Sequence, residues 1–473
     1  MTKLHSTTGV DRIPRGAFGF GVFSISEFSA TFSVALPLAI GFVGERLIGI
    51  TDSIMLGRIG PEALSASGLA LSIYNLIMIS GLGMIFPMLV LAAQARGGNR
   101  FRTVPLIIRQ GLWVCGILVA PGSAILWCVT PILILTGQEP HIARMAGDYM
   151  DFYLWTLFPA LSTFGFSLAF TAMGRAGIVA LIVCMEVAIN AVLDYALVLG
   201  RFGFPAMGME GAGLASIAAY GVGHMIFFIL LAFHRFFRST AKYLHAWWPR
   251  WHILKRFFHL GAPKAIEVLM RTGLYSGFSL LSGWIGVQAL VMYTIVFEAV
   301  MAIVAMTVAV ASTGAARTGM AYAGGDHAAI HRALNASILT LFVLLAPMMA
   351  LFLFFPEWIV MLFLGFGSSE ARALTSLVSP VLISAAFFLL AEGMRVVISQ
   401  ALNSLSDMKT PSLIAVLMYW GVAFPLGALL GFVVEFGVLG FWIGLALGMA
   451  TIAVAYIVRF QRLVGTQSVA QRF

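Results

Sequence analysis

The sequence predicts an all-α integral membrane protein of twelve transmembrane helices, arranged as two pseudo-symmetric six-helix lobes. Three observations predict this class: the composition, a series of twelve apolar runs, and a repeat of the first half of the chain in the second half. Of the 473 residues, 60% are hydrophobic and only 10% are charged. A soluble domain could not keep so much apolar surface from water.

Each apolar run has about 20 residues or more, which is the length that a helix needs to cross a bilayer. Several runs are longer than one crossing requires, so tilted or kinked helices are expected. In chain order the runs lie near residues 28–52, 66–94, 106–135, 149–173, 176–200, 210–234, 257–282, 288–314, 331–355, 377–403, 410–434 and 438–460.

The repeat relates the two halves of the chain at a nearly constant spacing. Pro263 follows Pro37 by 226 residues, and the same shift places Gly60 on Gly286. Because six helices return the chain to its starting side, the second half enters the membrane as the first did, which predicts a pseudo-twofold axis along the membrane normal. Such halves are typical of transporters that handle a substrate between two bundles. The predicted domains are an N-lobe at 1–234, an amphipathic cytoplasmic linker at 235–259 and a C-lobe at 260–473.

The basic residues are distributed unevenly between the two predicted sides of the membrane. Twenty of the 28 Lys and Arg residues fall in segments on the side of the N-terminus, and the opposite side receives Arg58, Arg144, Arg201 and Arg372. This bias predicts that both termini are cytoplasmic. The net charge of +9 therefore matches a surface of anionic lipid headgroups, and no nucleic-acid partner is expected.

Charged residues inside predicted membrane helices are costly and usually mark a function or a paired partner. In the fifth run, Glu186, Asn190 and Asp194 are spaced four apart and so share one helix face. A carboxyl group in apolar surroundings can exchange a proton near physiological pH, and an amide can hydrogen-bond either protonation state. These residues are candidates for a proton or monovalent-cation site, although a polar face can also serve only to hold helices together.

Asp52 follows Pro37 by 15 residues on the first predicted helix. Pro37 removes a backbone hydrogen bond and favours a kink, so protonation of Asp52 could be coupled to bending of the helix. The alternative interpretation places Asp52 near the outer end of the helix, facing solvent.

Two acid and base pairs in the second half have helical spacing. Glu267 precedes Arg271 by four residues, and Glu392 precedes Arg395 by three. Either pair could form an ion pair within its helix, with mutual neutralisation as its only role. Phosphate-loop, zinc-protease and nucleophile-elbow motifs do not occur in the sequence, so no cofactor is expected and a membrane-embedded enzyme or scaffold is only a remote alternative.

Several segments in order resemble the multidrug and toxic compound extrusion (MATE) family over nearly the full length. They include DSIMLGRIGPEALSA from Asp52, NAVLDYALVLGRFGFPAMGMEGAGLAS from Asn190 and EGMRVVISQALNSLSDMKTP from Glu392. The resemblance implies a twelve-helix antiporter with two six-helix lobes, which exports organic and often cationic compounds against a proton or sodium gradient.

The resemblance also implies roles for individual residues. It identifies Pro37 as the kinking proline of helix 1 and places a cation or proton site in the N-lobe at Asp52, Asn190, Asp194 and Ser216. Glu392 falls where helix 10 carries an acid in some subfamilies.

The C-lobe departs from the family pattern. Arg271 stands where some subfamilies have a glutamate, and Glu267 lies one turn earlier. The family fold makes helices 7 and 10 neighbours, so we predict that Arg271 pairs with Glu267 or Glu392 in the cavity of the C-lobe.

We therefore expect a monomeric exporter of amphipathic small molecules in the inner membrane. Protons would drive it through Asp52 and Asp194, with sodium as the close variant. An exporter of anionic or lipid-linked metabolites with the same fold is the alternative, which the charges of Arg271 and Arg395 would suit.

Overall fold

The computed structural model describes residues 25–233, 248–364 and 369–470, and these residues form a bundle of long helices. The predicted all-α membrane fold is confirmed. We number the twelve long helices α1 to α12. They are α1 Ile25–Ile59, α2 Pro61–Gly97, α3 Phe101–Trp127, α4 Pro140–Ala172, α5 Ala176–Leu197, α6 Gly208–Phe233, α7 Trp251–Ile285, α8 Val287–Ala323, α9 His327–Phe354, α10 Ser369–Ser404, α11 Lys409–Val433 and α12 Val438–Ala470.

Eleven of these helices are long and apolar enough to cross a membrane. The exception is α7, which has 35 residues but carries Lys264, Glu267 and Arg271 in its middle. These charges lower its hydropathy without shortening it, and α7 occupies the place of the seventh predicted run.

Prolines and irregular turns interrupt three of the long helices. The α2 helix is interrupted at Phe86, directly before Pro87, which lacks the N–H group that a continuous helix needs. A 3-10 turn at Leu154–Thr156 divides α4. Two π-helical turns, Tyr419–Ala423 and Leu429–Val433, flank a short α-helical segment in α11. By contrast, α1 is helical throughout although it contains Pro37.

The two halves repeat details of backbone geometry as well as sequence. Gly60 joins α1 to α2 with φ of 158°, and Gly286 joins α7 to α8 with φ of 147°. Residues with a side chain rarely adopt these angles, which explains glycine at both positions. A short helix also follows the third helix of each half, at Val129–Leu135 and at Pro356–Leu364.

The region predicted as a linker at 235–259 contributes partly to α7. Residues 235–247 lie outside the described residues, whereas α7 begins at Trp251 and continues without a break. The physical reason is packing, since Leu254 and Phe257 are buried in the same apolar cluster as residues of α2 and α3. Trp248 and Trp251 remain exposed, as expected for aromatic side chains at a membrane interface.

The two lobes meet along α1 with α8 and along α2 with α7 and α8. A Cβ atom on Gly83 of α2 would lie 2.5 Å from the Cα atom of Ala265, and a Cβ atom on Gly261 of α7 would lie 2.5 Å from the carbonyl oxygen of Met84. The two helices therefore approach each other backbone to backbone. We call this contact, formed by Gly83, Met84, Gly261 and Ala265, the glycine seam.

Polar contacts between the lobes lie at the end of the bundle that is predicted to be cytoplasmic. Glu27 at the start of α1 is ion-paired with Arg317 of α8 and lies 3.9 Å from Arg332 of α9. The Gln94 side chain of α2 donates hydrogen bonds to the Ser404 carbonyl oxygen at 2.8 Å and to the Ser406 hydroxyl at 2.9 Å. The lobes are thus joined at this end.

The predicted orientation can be tested by cysteine labelling in intact cells. Arg58 and Arg100 are both exposed but lie at opposite ends of the bundle. We expect a membrane-impermeant thiol reagent to label Arg58→Cys and to spare Arg100→Cys until the cells are lysed, because the basic end should face the cytoplasm. Both variants are made in a background without Cys115, Cys128 and Cys184. The reverse labelling pattern would contradict cytoplasmic termini.

Candidate functional site

Asp52, Asn190 and Ser216 form a buried polar cluster inside the N-lobe. Asp52 lies on α1, Asn190 on α5 and Ser216 on α6, and each is at most 1% exposed. The Asn190 amide donates to Asp52 Oδ1 at 3.1 Å, and the Ser216 hydroxyl donates to Asp52 Oδ2 at 3.0 Å. Asp52 does not face solvent, and the helix 6 hydroxyl implied by the resemblance is in contact with it.

Asp194 lies one turn beyond Asn190 on the same face of α5, and its carboxyl is 0% exposed. Both of its carboxyl oxygens, and also Asn190 Oδ1, have no hydrogen-bond donor among the described residues. Asp52 lies close enough to Asp194 for the two carboxyl groups to share a hydrogen bond when one of them is protonated. Because two nearby carboxylates repel each other and buried acceptors need a donor or a cation, this group of oxygens can hold a proton or a small cation.

Glu186 lies two turns from Asp194 on α5, and it is also buried, with 1% exposure. Its Oε1 atom has no hydrogen-bond partner among the described residues. Gly223 of α6 makes space for this carboxyl, because a Cβ atom at that position would overlap with Glu186 Oε1. Glu45 of α1 interacts electrostatically with this carboxyl group. The predicted polar face of α5 therefore extends from Asp194 to Glu186, two turns nearer the start of the helix.

Tyr149 of α4 is a residue that sequence reasoning missed. It is 0% exposed, its hydroxyl has no partner in the described part of the chain, and Asp52 and Asp194 are among its electrostatic neighbours. Its ring stacks on Tyr153 at 5.1 Å between centroids. Tyr149 is the first residue of the fourth predicted apolar run, but a tyrosine in an apolar helix gives no signal that its hydroxyl is unpaired.

A second polar cluster is buried in the C-lobe and joins α7 to α10. Arg395 binds both oxygens of Glu392 at 2.7 Å and also donates to Glu267 Oε1 at 3.3 Å. The predicted pairing of Arg271 with a glutamate is confirmed, since Arg271 Nη1 lies 3.2 Å from Glu392 Oε1. The ion pair between Glu392 and Arg395, which the sequence offered as a possibility, is also present within α10.

The pairing of Glu267 differs from the sequence prediction. Arg271 was one of its candidate partners, but Glu267 binds Lys264 instead, with 2.9 Å between Lys264 Nζ and Glu267 Oε1. The Ser412 hydroxyl of α11 donates to its other oxygen at 3.1 Å. Both side-chain oxygens of Glu267 thus have partners that leave Arg271 free to turn toward α10. Sequence reasoning missed Lys264, although its spacing of three residues before Glu267 is a recognised helical pairing.

Other charged residues in the predicted helices take no part in the two clusters. Arg46 of α1 and Glu298 of α8 are exposed on the surface of the bundle. Within the described residues, no group of three or more His, Cys, Asp and Glu side chains has the arrangement of a metal site. The two candidate sites are therefore an acidic cluster in the N-lobe and a paired-charge cluster in the C-lobe.

Comparisons with known proteins agree on one family. The MatE family model matches residues 37–196 and 263–429, so its two matches begin at Pro37 and Pro263. A probable multidrug resistance protein NorM of Rhizobium meliloti is 31% identical over 94% of this chain and 97% of its own length. A protein of the same description from Bradyrhizobium diazoefficiens is 31% identical over 92% and 94%.

A solved structure shares the fold at lower sequence identity. The eukaryotic MATE transporter AtDTX14 superposes with a TM-score of 0.82 over 93% of this chain and 98% of its own, at 17% identity.

Proposed function

Since the chain belongs to the MatE family, we propose that it is a proton-driven antiporter that exports amphipathic small molecules from the cell across the inner membrane. Its relatives are described as multidrug resistance proteins and transporters, which supports transport rather than enzyme chemistry. The observation that carries the proposal of ion coupling is the buried N-lobe cluster, in which Asp194 has no donor for either carboxyl oxygen.

The unequal surroundings of the two aspartates suggest which one exchanges the proton. Asp52 receives hydrogen bonds from Asn190 and Ser216, so its negative charge is compensated by fixed donors. Asp194 has no such donor, and a buried carboxylate without a partner is unstable. Asp194 is therefore stable when it carries a proton or holds a cation, and it loses that proton when the site is hydrated. We infer that Asp194 is the exchanging group and that Asp52 positions it.

Proton exchange at the N-lobe cluster is coupled to helix movement through α1, α5 and α6, which carry the residues of the cluster. Asp52 lies on α1, which contains Pro37 and packs against α8 of the other lobe. A change of charge at the cluster alters its contacts with α5 and α6, and the missing backbone hydrogen bond at Pro37 makes bending of α1 less costly. We propose that these changes produce alternating access between the two lobes of a single monomer, without a cofactor.

The coupling ion can be identified with the purified protein in liposomes that contain ethidium. We expect a pH gradient alone to drive dye movement and a sodium gradient alone to have no effect, because the open acceptors of Asp194 need only a proton. Dissipating the pH gradient with an ionophore is the control. Transport under the sodium gradient alone would replace proton coupling by sodium coupling, and no dependence on either gradient would contradict antiport.

A further inference from the structure

One face of α7 connects the C-lobe charge cluster with the boundary between the lobes. Lys264 Nζ lies 5.9 Å from the centroid of the Phe86 ring, which belongs to α2 of the N-lobe. Arg271 follows Lys264 by seven residues, which returns it to nearly the same face of α7 about 10 Å further along the helix axis. Arg271 therefore lies on the face of α7 that meets the N-lobe, beyond the glycine seam and away from the end where the lobes are joined.

Arg271 is the surplus charge of the C-lobe cluster. Glu267 is neutralised by Lys264 at 2.9 Å, and Glu392 is neutralised by Arg395, which binds both of its oxygens at 2.7 Å. Arg271 adds one further contact to Glu392, at 3.2 Å, where the negative charge is already compensated. The three cations and two acids of the cluster give it a net charge of +1 in the membrane interior.

Among the three cations of the cluster, Arg271 has the side chain that is most exposed. Its side chain is 22% exposed, whereas that of Arg395 is 1% exposed and that of Lys264 is 11% exposed. A guanidinium presents several N–H donors in one plane, and the structure gives Arg271 a single hydrogen bond among the described residues. The remaining donors match the geometry of a carboxylate, which binds guanidinium groups through two parallel hydrogen bonds.

We propose that Arg271 binds an anionic group of the exported molecule, a carboxylate or a comparable oxyanion, so that zwitterions and organic anions are among the substrates. This inference rests on the proposed transport function and adds a substrate class to it. The surplus charge also explains why an arginine can remain at this position. A cation whose partner acid is already neutralised by a second arginine needs water or a further anion in a membrane protein, and the side chain of Arg271 is exposed enough to be reached by either.

The experiment compares two dyes that differ only in a carboxylate. Rhodamine B has this group, and its ethyl ester does not. We expect Arg271→Gln to raise the KM for rhodamine B by about ten-fold while the KM for the ester stays unchanged, because only the carboxylate loses a charge-assisted hydrogen bond. Arg271→Lys should give a smaller increase, since lysine keeps the charge but not the planar donors. Thr272→Val is the matched control on the next residue of α7, and it should change neither value.

Binding of both dyes to the detergent-solubilised protein is measured in parallel by fluorescence polarisation. This measurement needs no ion gradient, so a failure of antiport is separated from a failure of anion binding. The proposal is overturned if Arg271→Gln changes both dyes equally or changes neither in the binding assay. Because Glu392 keeps Arg395 as its partner, the variant leaves no unpaired acid.

A lipid phosphate presents the same chemistry as a substrate carboxylate, and vesicle composition separates the two. Transport is measured in phosphatidylcholine vesicles, which carry no net charge, and again after addition of phosphatidylglycerol. If the anionic lipid raises the KM for rhodamine B in the wild type but not in Arg271→Gln, the lipid headgroup occupies the same anion site. If the KM values do not depend on the lipid, the anion site serves the dissolved substrate.

Discussion

Replacing Asp194 by asparagine is expected to reduce gradient-driven export to the level of empty liposomes. Asparagine has nearly the same shape but cannot exchange a proton, and its amide supplies its own donors to the acceptors left open in the wild type. The variant should fold and insert normally, because it removes an unpaired buried carboxyl rather than a packed group. The measurement is dye efflux under a pH gradient, with size-exclusion elution in detergent as the folding check.

Two variants sharpen this prediction. Asp151→Asn changes an exposed aspartate of α4 in the same lobe, and it should leave export at the wild-type rate. Asp52→Asn should reduce export less than Asp194→Asn does, because the new amide oxygen can still accept from Asn190 while the new NH2 group donates to the Ser216 hydroxyl, which can accept as well as donate. Wild-type export by Asp194→Asn would remove this residue from the coupling mechanism, and equal losses in both variants would remove the distinction between them.

The second large effect is expected in the C-lobe, where Glu392→Ala should destabilise the protein by about 3–5 kcal/mol. Glu392 is 0% exposed and is bound by Arg395 and Arg271. Its removal leaves the buried Arg395 and the partly exposed Arg271 without that partner and raises the net charge of the cluster from +1 to +2. Arg271→Ala should cost about 1 kcal/mol or less, as at a solvent-accessible ion pair, because each remaining acid still has its own cation.

The double variant decides whether charge balance is the cause. Arg271→Ala combined with Glu392→Ala restores the net charge of +1, so it should be more stable than Glu392→Ala alone. Thermal unfolding in detergent gives the order of the four proteins. Exposed Glu298→Ala on α8 serves as the control for loss of a glutamate. Strict additivity of the two single changes would show that Arg271 and Glu392 do not stabilise each other.

The sequence predicted well the features that depend on neighbouring residues, namely the repeat and the long helices. Pro37, Gly60, Pro263 and Gly286 revealed the repeat by their spacing, and Gly60 and Gly286 adopt backbone angles that favour glycine. The apolar runs predicted the long helices because hydropathy depends only on neighbours in the chain. Irregularities inside the helices, such as the two π-helical turns of α11, depend on packing with α12 and left no such signal.

The candidate sites were predicted in part. Spacing placed Asn190 and Asp194 on one face, Asp52 was a candidate from its position after Pro37, and the resemblance added Ser216. Asp52, Asn190 and Ser216 meet in one cluster. Spacing could not decide between the possible partners of Glu267, because Lys264 and Arg271 lie three and four residues away on opposite sides of it. The partner of Glu267 depends on contacts with α10, where Arg395 contacts both Glu267 and Glu392. Such contacts between distant segments cannot be read from helical periodicity.

The glycine seam has a consequence for the speed of rearrangement. At Gly83 and Gly261 the contact between α2 and α7 is made mainly by backbone atoms, and the Met84 side chain also lies close to Gly261. Two surfaces that meet mainly through backbone atoms can separate and rejoin with few changes of side-chain rotamer, and little apolar area is exposed to water when they do. Movement at this boundary should therefore meet a low barrier. The slow steps of a transport cycle should be the breaking of the ion pairs at the end where the lobes are joined and the release of the proton. A side chain added at Gly83 would create a steric obstacle in the same place and would slow turnover even in a correctly folded protein.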